Sequence, residues 1–291
     1  MTPFRQWIAI VEPQSDPRSG TVGSWLTLPA ADRARVLATT GLAGLDIRLD
    51  RPGAADVARE CVEAGLPYRV HSWVGRHDGT RSTLDAAEAE RQAVRVTTQI
   101  RELARIAGAP PESYGANAER DWWQNNPRGV DALDAFAVRF RAEDHATALD
   151  YLGFALPAWH YGRVDWDHDG DIDTVVPPAT QARFRRLLCM AYQTAWKDLA
   201  STLERARAAW PGRPMSAFVG VGALNPDGTT VGDPEAIQRA AEWRTGGIDE
   251  LVHYVGLGAS RARMLTLGNA LVDPLTARIP AIAHATSRGS A

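Results

Sequence analysis

Short apolar runs rich in β-branched and aromatic residues alternate along this chain with longer stretches in which apolar positions recur every three or four residues. The first pattern belongs to strands buried on both faces and the second to amphipathic helices, so their alternation predicts βα units around a parallel sheet. Seven runs predict strands: Trp7 to Val11, Gly44 to Leu49, Pro67 to Val74, Ser113 to Ala118, Leu152 to Trp159, Met215 to Leu224 and Glu250 to Leu257. Ile279 to Ala285 is a candidate eighth.

Helix limits are marked between them. From Asp85 to Ala107 the residues Ala93, Val96, Ile100, Leu103 and Ala107 form one stripe, and Gly108 with Pro110 and Pro111 ends it. Pro177 and Pro178 open a second helical stretch that carries Phe184, Leu187, Leu188, Ala191, Ala195 and Leu199 and stops at Pro211 and Gly212. No linker rich in Pro, Gly or Ser divides the chain and no internal repeat stands out, so residues 1–291 are expected to form one domain. Seven or eight strands with intervening helices match a single (β/α)8 TIM barrel, an α/β fold of about 250 residues plus insertions. A doubly wound dinucleotide-binding sheet is disfavoured, because the first strand runs into Glu12, Pro13 and Gln14 and not into a glycine-rich phosphate turn.

Composition narrows the function. With 45% hydrophobic residues in 291, the chain can bury a full core. A net charge of -3 with no dense basic segment gives no support to nucleic-acid binding, and no run approaches the roughly 20 apolar residues of a membrane span. The two cysteines, Cys61 and Cys189, fall in stretches read as helices and are assigned to packing. Pro3 and Arg5 interrupt the place where a secretory signal would begin its apolar run. Cytoplasmic synthesis is therefore expected, with release by lysis or carriage on a virion or other particle if the target is external.

Barrel chemistry sits where strands end and βα loops begin. The first strand ends at Glu12, the second passes Asp46 to reach Asp50, and the third carries His71 and Trp73. The fourth leads into Asn117, Glu119, Trp122 and Trp123, the fifth into Trp159, His160 and Tyr161, and the seventh carries His253. Carboxylates and amides among flat indoles suit a sugar site, since an acid must protonate the glycosidic oxygen while indoles stack on pyranose faces. A structural reading is also available, with Glu119 pairing with Arg120 and the indoles capping the barrel.

The segment YGANAERDWW resembles the glycoside-hydrolase barrels that include lysozyme-like muramidases and their phage and bacterial relatives. In those muramidases the fourth strand ends in Asp-x-Glu, with the Glu as general acid, and an Asp closes the first strand. The resemblance implies cleavage or binding of a bacterial cell-wall or related polysaccharide, with Glu119 as acid. Asn117 stands where the motif has Asp, and Glu12 where the first-strand Asp would be. An amide cannot be the charged partner of a retaining pair, but it can position an N-acetyl group. A non-catalytic sugar-binding or structural barrel, as in a phage tail, would show the same departures.

Asp165, Asp167, Asp169, Gly170, Asp171 and Asp173 spell D-x-D-x-D-G-D-I-D within a loop insertion at about 162–177. Alternating carboxylates with a glycine at the sharp turn resemble the calcium loops of EF-hand and dockerin modules, although Val176 occupies position twelve in place of the bidentate Glu. A structural Ca2+ is expected there. A third functional class is a divalent-metal sugar isomerase or hydrolase built on His71, His160, His253, Glu119 and Asp46, without an HxH or HExxH spacing to support it.

Overall fold

A computed structural model describes residues 5–10, 13–14, 25–27, 29–38, 42–74, 85–118, 129–153, 176–190, 196–221 and 248–255. Eight strands follow one another in chain order: β1 (Arg5–Ile10), β2 (Leu42–Arg48), β3 (Tyr68–Trp73), β4 (Ser113–Asn117), β5 (Ala148–Gly153), β6 (Leu187–Met190), β7 (Met215–Val221) and β8 (Glu250–Val255). Each pairs in parallel with its sequence neighbours, and β8 returns to β1 to close the barrel. Helices α1 (Ala30–Leu37), α2 (Ala54–Glu63), α3 (Ala86–Ala107), α4 (Gly129–Glu143), α5 (Pro178–Gln181) and α6 (Trp196–Ala209) lie between them. The expected (β/α)8 barrel is therefore the fold.

Several expected elements need correction. The stretch from Pro177 to Pro211 is not one helix: a single turn, α5, is followed by strand β6 and then by α6. Phe184, Leu187, Leu188 and Ala191 imitate helical spacing, but a strand of four residues buried on both faces has no alternation to betray it. Cys189 accordingly lies in β6, whereas Cys61 is in α2 as expected, and both thiols are buried and not joined in a disulfide. The fifth strand begins at Ala148, four residues ahead of the expected Leu152. The eighth strand of the barrel is Glu250–Val255, and Ile279 to Ala285 lies outside the described residues.

The pleat separates two cores. Outward residues such as Ile8, Ile10, Leu45, Ile47, Val70 and Leu187 pack with buried positions of the helices, among them Val57, Cys61, Ala93, Ile100, Phe136 and Phe140. Helix α3 shows why the sequence reads so clearly there. Asp85 caps it by accepting the Glu88 amide at 2.8 Å, Gly108 closes it at φ 86°, and the predicted stripe Ala93, Val96, Ile100, Leu103 and Ala107 is buried. Inside the barrel Trp7, Ala9, Leu152, Leu188, Met190, Phe218 and Val252 form a second, smaller cluster. A side chain at Gly44 would find no room beside it, since a Cβ there would lie 2.1 Å from the Pro67 carbonyl oxygen and 2.6 Å from the Trp7 ring.

Candidate functional site

Charged residues plug the end of the barrel where the strands begin. Glu250, the first residue of β8, sits among three arginines: Arg69 Nη1 donates to Oε2 at 2.6 Å, Arg186 Nη1 also reaches Oε2, and Arg5 Nη1 donates to Oε1 at 3.1 Å. The Ser216 hydroxyl adds a bond at 2.9 Å. Arg5 continues to Glu112 at 2.6 Å, and Arg185 makes a two-pronged pair with Asp150 at 2.9 and 3.0 Å. Burial alone would push the Glu250 carboxyl up, but Arg69 and Arg186 outweigh it and hold the group down at about 2. The Arg69 guanidinium also lies 3.9 Å from the centre of the Trp7 ring, a cation–π contact inside the barrel.

From this floor the polar residues continue upward toward the mouth. Asp46 on β2 is fully buried and meets Arg69 Nε at 3.4 Å with one oxygen and His71 Nδ1 at 2.6 Å with the other. Desolvation raises the Asp46 carboxyl, and His71 and Arg69 more than reverse this, so it stays ionised below the usual carboxylate range. His71 has 6% of its surface exposed and meets the edge of Phe218, with ring centres 6.4 Å apart. Arg48, paired with Asp50 at 2.8 Å, lies over the Trp73 ring at 5.8 Å. Strand register then sets Trp73 directly beside Asn117 at the final residues of β3 and β4.

Of the residues expected to form the site, the structure thus brings together Asp46, His71, Trp73 and Asn117. His253 lies on β8, in register with Ile8 and Val219. Glu12, Glu119, Trp122, Trp123, Trp159, His160, Tyr161 and the loop from Asp165 to Asp173 lie outside the described residues. Among the described residues no group of three or more His, Cys, Asp or Glu is placed to hold a metal ion, and no helix is long and apolar enough to cross a membrane. Sequence reasoning missed Arg69, Arg186 and Glu250. The available signal was the alternation Arg69, His71, Trp73 along one strand, which marks a single inward face carrying a charge.

No family model matches the chain, and no curated protein sequence matches it. Solved structures do. A glucosidase from Croceicoccus marinus aligns over 99% of this chain and 68% of its own, with a TM-score of 0.58 and 11% identity. The Bacillus cereus spore cortex-lytic enzyme SleL aligns over 91% of this chain and 75% of its own, with a TM-score of 0.56 and 11% identity. An endo-β-N-acetylglucosaminidase from Cordyceps militaris aligns over 96% of this chain and 90% of its own, with a TM-score of 0.55 and 12% identity. At such identities the likeness is one of fold: the chain shares the barrel of these three proteins.

Proposed function

We propose that this chain is a glycoside hydrolase of bacterial cell-wall or related N-acetylated polysaccharide, with Glu119 as the general acid. The observation that carries the reading is the pairing of Trp73 with Asn117 at the ends of β3 and β4, above the buried Asp46–His71 pair. An indole and an amide side by side at a barrel mouth offer a stacking surface for a pyranose ring and a hydrogen-bonding partner for its acetamido group. Glu119 follows Asn117 by two residues, the spacing of the acid in the muramidase motif. In this reading Asn117 positions the sugar and Glu119 protonates the leaving oxygen.

Support also comes from the fold neighbours, whose names include a cortex-lytic enzyme and an endo-β-N-acetylglucosaminidase. Calcium on the loop from Asp165 to Asp173 would supply structure and no step of the reaction.

Tryptophan fluorescence titrated with chito-oligosaccharides and muropeptides tests the binding half of the reading. Trp73→Ala should weaken the response by at least tenfold in Kd, while Glu119→Gln keeps it and loses turnover. Glu119→Gln turning over at the wild-type rate removes the proposed acid. Wild-type binding without turnover would instead make this a sugar-binding barrel.

A further inference from the structure

An amide at position 117 neither attacks carbon nor takes a proton from water, so the base of the proposed hydrolase lies elsewhere. We propose that His71, oriented by Asp46, is the general base of this site. The inference rests on the glycosidase reading and names the mechanism it follows.

His71 Nδ1 lies 2.6 Å from Asp46 Oδ1, and Asp46 is itself held by Arg69 at 3.4 Å. A buried carboxylate on Nδ1 favours the tautomer whose proton is on that nitrogen, which leaves Nε2 with its lone pair. His71 stands two residues before Trp73 on β3, on the same inward row, so it lies immediately beneath the proposed sugar platform. Around it the neighbours are Gly115 in register on β4 and the Phe218 ring of β7, neither of which is charged.

The charges that face it are Asp46, Arg48 with its partner Asp50, and Arg69. The connected floor network joins four guanidiniums, Arg5, Arg69, Arg185 and Arg186, to four carboxylates, Asp46, Glu112, Asp150 and Glu250. That network is balanced by itself. One added proton on Nε2 gives an imidazolium next to the Asp46 carboxylate, which stabilises it without an anion having to enter the barrel.

A water oxygen bonds to the anomeric carbon and passes one proton to His71 Nε2. The electron pair of the breaking glycosidic bond stays on the leaving oxygen, which takes the proton of Glu119. No covalent intermediate forms, and the anomeric configuration inverts.

The decisive experiment follows the anomeric configuration of the first product by proton NMR with the wild-type protein, alongside the rates of His71→Gln and Asp46→Asn. Inversion, with kcat reduced about 100-fold or more in His71→Gln, is the expected result. Nitrogen NMR of the His71 ring, which needs no substrate, should show the proton on Nδ1 in the wild type and a changed tautomer balance in Asp46→Asn. Retention of configuration overturns the proposal even if His71→Gln does not fold, and leaves the glycosidase reading standing. A wild-type protein that cleaves no glycan overturns both.

Discussion

Glu250 shows how a single side chain can organise a barrel floor. Three arginines and a serine converge on it, and its carboxyl is held at about 2 where an unfolded glutamate titrates near 4.5. A depressed folded value means that the group stabilises the fold fully above the unfolded value. The contribution is lost as pH falls from about 4.5 through about 2. The difference corresponds to something on the order of 3 kcal/mol. Urea titrations at pH 6, 4 and 3 should therefore show a falling unfolding free energy, and Glu250→Gln should be less stable at pH 6 and show a shallower fall. A slope equal to wild type in that variant would remove Glu250 from the account. Cys61 makes the opposite case: burial pushes its thiol up to about 12, and its Sγ bonds the Pro67 carbonyl at 3.3 Å, so it packs and does not react.

Among the elements, legibility followed length and periodicity. Helix α3 was readable because an amphipathic stripe and a terminal glycine agreed, and the structure adds Asp85 as its N-cap. Strand β6 was not, because its four residues are buried on both faces and follow two arginines, Arg185 and Arg186, that look like the solvent side of a helix. Those arginines in fact turn to Asp150 and Glu250, and only the closed barrel brings these partners within reach. For the same reason Asp46 and His71 were legible as chemistry-bearing residues but their 2.6 Å contact was not, since strand register decides it. The tight approach of β2 to β3's entry and to Trp7 gives a second prediction. Gly44→Ala should cost about 3 kcal/mol or more, read as a lower denaturation midpoint with an unchanged slope, because backbone cannot retreat from a Cβ at 2.1 Å. A cost below about 0.5 kcal/mol would mean that β2 can shift freely, contrary to the packing described.

On the scale of the whole molecule, a closed barrel with a buried ionic floor supports a mouth where the Trp73 indole and the Asn117 amide end neighbouring strands above the buried Asp46–His71 pair. The acidic loop from Asp165 to Asp173 belongs to this scale through its expected effect on stability. If it takes calcium, chelator lowers the melting temperature and added calcium, in preference to magnesium, restores it; a melting temperature indifferent to both removes the metal. The central claim, that this barrel cleaves an N-acetylated cell-wall glycan through Glu119, is tested most directly by counting new reducing ends released from purified peptidoglycan and chitin oligosaccharides. The account predicts steady release by the wild-type protein and a loss of at least 1,000-fold in Glu119→Gln, on the scale of removing a general acid. No release from either substrate by the wild type, or equal release by the two proteins, would contradict it.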